Sequence, residues 1–427
     1  MGFLRGQASF TRLAVSKPTG AMVAEEHLDA LAEGVFRASG GEIVVSEQEV
    51  GFVGGEHIYD ERFSFEHNVY AGGAACHFGL RIDTNKVPSE IKRAVQSQHQ
   101  TAMSAESATG FLSRAEKREM KELVEHALRE ELNTGKYRKS KLVPMLWDIE
   151  RSAILSASGA STVIEALGSH WRATMSGGLS LQSAGALAYT YCASVGKTRD
   201  FEDLLPTPWT KAPGGESSSA QPDVPWAMGG GEPHDFLGNE FLVWLWHRCD
   251  IGDHEFELAD GTVFGVLMDR VLECECAWGV TGKQSLSADA GAVSPARMVE
   301  ASDALACGKW PRRVGLMIGI DDQAWTLTLQ ADKWMVSGCS LPKPEEGFEN
   351  AREEGEWRIE AVRRIDGVLV GLYELFLSER LSGIWGGTRE RITRWIAGRK
   401  PQRGGVTPRP AEFVEAKSEK METVGLP

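Results

Sequence analysis

Nowhere does the sequence gather the roughly 18 to 20 consecutive apolar residues that a membrane-spanning helix needs. The first residues, Met1-Gly-Phe-Leu-Arg-Gly-Gln7, hold no apolar secretion core, and Gly6 stands where a myristoylation signal has serine or threonine. These absences predict a cytoplasmic chain with no membrane partner. Cysteine is scarce as well: seven are scattered along 427 residues, and none forms a CxxC pair. Cys274-Glu-Cys276 is the closest spacing, and in a strand both thiols would share one face. The cysteines are expected to be small buried apolar residues in a reducing compartment, neither disulfides nor metal ligands.

Signatures of common catalytic sites are missing too. A phosphate-binding loop needs a glycine five residues ahead of its Gly-Lys-Ser/Thr, so that backbone amides cradle the phosphates. Gly196-Lys197-Thr198 has Tyr191 at that place; Gly282-Lys283-Gln284 has Ala277 there and no hydroxyl residue after the lysine. No GxSxG, HExxH or GxGxxG occurs. Among ten histidines, His247, Cys249 and His254 form the densest group, without a carboxylate at a recognisable spacing. Glu345, Glu346, Glu349, Glu353, Glu354 and Glu356 read as a helix start, where acids complement the dipole. No catalytic residue, cofactor or metal is expected.

What is present is ordinary for a globular fold: 42% hydrophobic and 25% charged residues, enough chain for two or three cores. Ser113-Arg-Ala-Glu116 fits a capping box, and Met120, Leu123, Val124, Ala127 and Leu128 follow at helical spacing. The helical signal begins near Glu90 and runs into the 130s. Residues 143–149 and 152–157 predict a hairpin, followed by a helix with Val163, Ile164 and Leu167 inward and Gly168 as its stop. Prolines, glycines and serines crowd 195–235, which reads as a linker. Beyond it, Asp235 is placed to cap a helix containing Phe241, Trp244 and Leu245, and Asp260-Gly261 suits a type I′ turn. Residues 313–340 read as a three-strand meander in which Trp325, Leu327 and Leu329 alternate. A long helix over 354–382 follows, with Ile365, Val368, Leu369, Leu372 and Phe376 as its stripe.

The expected fold class is therefore α+β: antiparallel ribbons or sheets with packed helices in two similar-looking halves. The divisions are 1–194, with a basic finger over 113–141; the linker 195–235; 236–397; and a disordered basic tail over 398–427.

With 46 lysines and arginines against 60 acids, the formal net charge is −14. A nucleic-acid coat is disfavoured by that total, but a single basic face is not. Positive charge concentrates in three places. Lys136, Arg138, Lys139 and Lys141 surround Tyr137, after a helix bearing Arg114, Lys117, Arg118 and Lys121. Lys309, Arg312 and Arg313 open the meander, with Lys283 upstream. Arg389, Arg391, Arg394, Arg399, Lys400, Arg403 and Arg409 stand against the single acid Glu390.

In order along the chain, these features resemble the RdgC family of recombination-associated proteins. The resemblance is carried by Gly79-Leu-Arg-Ile-Asp83 and Val87-Pro-Ser-Glu-Ile-Lys92, then Arg114-Ala-Glu-Lys-Arg-Glu-Met-Lys-Glu-Leu123 and Met145-Leu-Trp-Asp148. Gly282-Lys-Gln-Ser-Leu286, Gly308-Lys309 and Arg364-Ile-Asp366 continue it in the second half. It covers roughly 1–385. It implies a ring-shaped homodimer with a basic hole, binding duplex DNA, and single-stranded DNA as a further candidate, with little sequence preference. Such a protein would be nucleoid-associated and restrain a RecA-type recombinase by occupying the DNA. Lys283 matches a basic position implicated in DNA contact in relatives. A second such position falls near Gly110, so Arg114 is the nearest substitute, and Tyr137 matches the aromatic at the dimer interface. Lys117, Arg118, Lys136, Arg138, Lys139, Lys141, Lys309, Arg312 and Arg313 complete the expected DNA-binding set. Two other classes stay open at this point: a metal-dependent nuclease or similar DNA-processing enzyme, and a protein-interaction scaffold.

Overall fold

Apolar residues occupy both sides of the first strand, β1 (Ala8–Val15): Ala8 and Phe10 enter one core, Leu13 and Val15 another. A strand buried on two faces belongs inside a sheet, and β1 lies near the middle of one. The structure is a computed structural model that describes residues 2–17, 20–38, 48–106, 111–175, 177–212, 221–228, 232–289, 294–344 and 347–399.

Along the chain, β1 is followed by α1 (Glu25–Glu33), β2 (Gln48–Val53), α2 (Phe65–Asn68), β3 (Val69–Tyr70) and β4 (Ala75–Asn85). Two helices, α3 (Ser89–Glu106) and α4 (Arg114–Asn133), come before β5 (Arg138–Asp148) and β6 (Ala153–Ser156). Next are α5 (Ser161–Thr174), β7 (Leu179–Leu181), α6 (Ala184–Ser194), α7 (Thr198–Glu202), α8 (Pro225–Met228) and α9 (Phe236–Asp250). The remainder is β8 (Glu255–Glu257), β9 (Val263–Cys276), β10 (Gln284–Ser287), α10 (Val299–Ala306), β11 (Lys309–Ile320), β12 (Gln323–Gln330), β13 (Met335–Ser340), α11 (Ala351–Arg380) and α12 (Trp385–Gly398).

All thirteen strands among the described residues join one sheet, ordered β10-β9-β11-β12-β13-β1-β6-β5-β4-β2, with β3, β7 and β8 pairing beside this path. Every pairing between these strands is antiparallel. The fold is thus mixed α+β, with twelve α-helices among the described residues. One face is covered by α6, α9, α11 and α12, whose Phe241, Leu245, Leu369, Phe376 and Ile392 meet Val314, Leu316, Trp325 and Leu329. Among the described residues the other face is covered over β2, β4, β5, β6 and the end of β1, where Leu28, Leu31, Leu167 and Trp171 of α1 and α5 share a core with Leu13, Phe52, Phe78, Val143, Met145 and Trp147.

Local chemistry departs from expectation in several places. The helical signal from Glu90 onward is two helices that fold back on each other, and among the side chains described none of either helix is fully buried. The Ser113–Glu116 capping box is present. Gly168 does not stop α5, which runs to Thr174 because Trp171 still reaches the core. Asp235 does not cap α9 with its side chain; its Oδ1 accepts the Gly185 amide at 3.0 Å and ties α6 to α9. The Asp260-Gly261 turn is not type I′. Only Gly261 has positive φ (84°), and its N–H bonds Leu258 O, a type I turn closed by a left-handed glycine.

The proline-rich stretch is packed rather than solvated where described: Phe201, Trp209, Val224 and Ala227 enter the core, and the Thr207 amide donates to Glu240, which is fully buried. Arg380 Nε meets that carboxylate at 2.8 Å. Residues 213–220 and 229–231 of this stretch lie outside the described residues. The basic segment after 389 likewise begins as helix. Ile392 and Ile396 are buried, and Arg399 is 5% exposed between the rings of Trp246 and Trp395, 4.3 and 5.0 Å from their centroids. Lys400, Arg403 and Arg409 lie outside the described residues, as does the expected disordered tail beyond 399.

Two ion pairs join α11 to the strands. Arg363 Nε meets Asp148 Oδ2 at 2.8 Å with side chains 6% and 3% exposed, and Arg12 of β1 pairs with Asp366. Burial alone would raise the Asp148 carboxyl, but the Arg363 bonds outweigh it and hold it below the usual range. Removing one partner of a buried pair costs up to about 3–5 kcal/mol, less where another partner remains, as Arg151 does for Asp148 at 2.9 Å. Arg363→Ala should lower the unfolding free energy in urea by up to that amount; a loss under about 1 kcal/mol would contradict the role given to the pair.

Acid should weaken the fold through its buried histidines. His77 is buried against Phe3 and Tyr70, and burial lowers its pKa to about 4. Burial also lowers His27, His234 and His247. Between the unfolded value of about 6.5 and these folded values the unfolded chain binds more protons, so stability falls as pH falls through that window. Thermal midpoints should be lower at pH 5 than at pH 7.5, and equal midpoints would refute this.

Candidate nucleic-acid interface

The strand period decides which face each cation takes. In β5 the register with β4 is unbroken from Arg138 to Asp148. Val143, Met145 and Trp147 lie under α1 and α5, so Lys139 and Lys141 continue the same face beyond those helices. Both are exposed, and neither has an ion pair among the described residues. Arg138 turns to the other face, where it pairs with Glu49 and, at 3.3 Å, with Asp83. Asp83 also holds Arg81 at 2.7 Å.

At the other cluster a continuous row runs from Glu273 through Arg313, Gln330, Met335, Thr11 and Ser156 to Met145. Met145 belongs to the face of Lys139 and Lys141, so Arg313 does too. Lys283, just before β10, reaches Glu275 at 3.4 Å while 72% exposed. With Arg312, Arg313, Gln330, Lys333, Glu273 and Glu275 it borders a pocket of about 330 Å³. Lys333 is exposed without an ion pair among the described residues.

The arginines here are less available than the lysines. Arg312 bonds Glu275 at 2.6 Å and Asp332 at 2.7 Å, is 16% exposed and lies 5.0 Å from the Trp226 ring. Arg313 donates to Glu273 at 3.2 Å and to Ser337 Oγ at 3.3 Å. Lys309 donates to Gln284 at 3.2 Å.

Arg114 and Lys117 are exposed on the first turn of α4 without ion pairs among the described residues, while Arg118 pairs with Glu122 at 3.2 Å. Gly110 lies outside the described residues. Lys136 pairs with Glu131 at 3.7 Å and its ammonium lies 5.4 Å from the ring of Tyr137. The Tyr137 hydroxyl donates to Glu131 at 2.8 Å, so the half-buried ring folds against the end of α4, where the arm meets the sheet.

Two of the predicted clusters therefore share one face: Lys139 and Lys141 on β5, Lys283 and Arg313 on β10's approach and β11. They are not adjacent. From β11 to β5 are five strand spacings, about 24 Å, and Lys141 lies four residues, about 13 Å, along the strand from Arg313's row. Between them the face is uncharged. Sequence reasoning missed Lys333 and this intervening surface. The alternation of Trp325, Leu327 and Leu329 already put Thr326, Thr328 and Gln330 on the opposite side, but only the sheet order shows that, among the described residues, no helix of either core lies over them. Among the described residues, no group of three or more His, Cys, Asp or Glu side chains is placed to hold a metal ion, and no helix is long and apolar enough to cross a membrane.

Compared with protein-family models and with curated proteins, the chain matches none.

Proposed function

We propose that the chain is a sequence-nonspecific double-stranded DNA-binding protein that acts as a ring-like homodimer and restrains RecA-type recombination by occupying DNA. The observation that carries this reading is the shared face: Lys139 and Lys141 at one side of a single sheet, Lys283, Arg313 and Lys333 at the other, with an uncharged floor between. Mobile, hydrated lysines suit phosphate contacts that ignore base identity. The net charge of −14 is no obstacle, since only this face must be basic.

The two-half reading has support in the order of pairing. The series β2·β4, β4·β5, β5·β6 lies between α1 and α5, and β8·β9, β9·β11, β11·β12 lies between α9 and α11. Each half interrupts its two long strands with an insertion, α3–α4 in one and β10–α10 in the other, and each basic cluster begins the strand after it. A ring of two copies would bring four such clusters around one opening, with Tyr137 at the contact between arms.

Binding to unrelated linear duplexes should fall steeply with salt and vary little with sequence. Lys139→Ala with Lys141→Ala should reduce the log–log salt slope by up to about 2, at about 0.9 for each phosphate that is no longer neutralised. Lys283→Glu should weaken every duplex similarly. An unchanged slope and affinity in both variants would sink the assignment.

For the dimer, Tyr137→Ala should shift sedimentation toward monomer at low protein concentration. An intact dimer at the same concentration would remove Tyr137 from the interface.

A further inference from the structure

Between the cations, the open sheet face has its own chemistry. On β12 the residues Trp325, Leu327 and Leu329 enter the core under α9 and α11, so Thr326, Thr328 and Gln330 point the other way. All three are half-exposed, and among the described residues their side chains make no hydrogen bond. Ser337 of β13 pairs with Thr328 in register, and its Oγ takes the Arg313 guanidinium at 3.3 Å, which fixes both on this side. Ser9 of β1 adjoins them, its Oγ accepting the Gly338 amide at 3.0 Å. The helical layer stops just beyond, where the Thr11 hydroxyl lies against Gly159. No acidic side chain occurs on β12 or β13, whereas Glu273 and Glu275 appear as soon as β9 is reached.

Such a surface is unusual in a chain this acidic. Charged residues make up 25% of the chain, yet none stands on β12 or β13. Here a run of short, uncharged donors is bounded by Lys139 and Lys141 on one side and by Lys283, Arg313 and Lys333 on the other. Hydroxyl and amide groups are the side chains that hydrogen-bond phosphate and sugar oxygens without reading sequence. A floor without carboxylates also spares an approaching phosphate any like-charge repulsion.

We infer that this floor is a track for the nucleic-acid backbone, on which Thr326, Thr328 and Gln330 donate hydrogen bonds to phosphate oxygens while the flanking cations supply the attraction. This rests on the DNA-binding reading and adds residues that the positive-charge argument cannot find. It also separates two kinds of contact. A lysine that meets phosphate displaces a condensed counterion and steepens the salt dependence; a neutral donor holds the same phosphate and displaces none.

The test is a salt titration of the full-length protein on a duplex, for the wild type and for Thr326→Val with Thr328→Val. Valine keeps the shape and suits a strand, so the thermal midpoint should change little. The expected result is an affinity about five- to tenfold lower at every salt concentration, from two neutral hydrogen bonds, with the log–log slope unchanged. A wild type that binds while the double variant binds equally well would overturn the track and leave the DNA reading standing. A shallower slope in the double variant would also overturn it, because the loss would then lie in the cations. No binding by the wild type at low salt would remove the DNA reading itself and the track with it. Should the double variant fail to fold, Gln330→Ala decides by the same criteria.

Discussion

The arrangement depends on a brace of buried charge between α11 and the middle of the sheet. Asp148 ends β5, Arg12 sits in β1, and both meet partners one turn apart on α11, Arg363 and Asp366. Arg151 adds a third guanidinium at 2.9 Å from Asp148 and lies over Gly367, where a Cβ would stand 3.1 Å from its nitrogen. Buried ion pairs contribute less to stability than apolar residues of the same size, because desolvation offsets much of the attraction. Their effect is selective: a helix slid by one residue would break both the Arg363–Asp148 and the Arg12–Asp366 pairs. The brace therefore fixes where α11 lies on the sheet, and α11 covers the join between β13 and β1.

From that join follows the asymmetry of the two faces. Because β13 pairs directly with β1, the strands before and after the proline-rich stretch form one surface. Four helices cover one side of it, while α1 and α5 reach only part of the other. The division of labour between arginine and lysine follows the same logic. Arg12, Arg138, Arg312, Arg363 and Arg380 hold carboxylates at buried or half-buried places, where a planar fork satisfies several acceptors. Lys139, Lys141 and Lys333 remain exposed. The acid excess of the chain is partly consumed in those arginine contacts and partly displayed elsewhere, so a basic face and a charge of −14 coexist.

How much of this was legible beforehand depended on range. Elements with a strong local period could be read from the residues: the capped α4, the β5–β6 hairpin, the meander and α11. Gly168 and Asp235 misled because glycine and aspartate carry local preferences that tertiary contacts override; Trp171 keeps α5 helical, and the Gly185 amide claims the carboxylate. The linker reading failed for a similar reason. Pro206 and Pro208 do break helices and strands, but Phe201 and Trp209 beside them have enough apolar surface to bind the stretch to the core. Clusters of cations could be found by counting. Which of them share a face could not, since that requires the pairing of β1 with β13, more than 300 residues apart, and no local pattern encodes it.

The arm raises a separate physical question. Helical stability in proteins comes mostly from tertiary packing of an apolar face, yet among the side chains described α3 and α4, of 18 and 20 residues, have no fully buried one. Their exposed ion pairs, Arg118 with Glu122 and Lys121 with Glu125, contribute little. What holds the hairpin in one chain is a half-buried apolar seam including Ile91, Val95, Met120, Val124 and Leu128, together with the Asn85 side-chain bond to Leu132 O at 3.0 Å. Leu123 remains 45% exposed on the same helix. An element so poorly buried gains most from a second apolar surface, which the proposed dimer would supply. Tyr137 and the lysines stand at the foot of this helical hairpin, at the margin of the face on which the nucleic acid is proposed to lie.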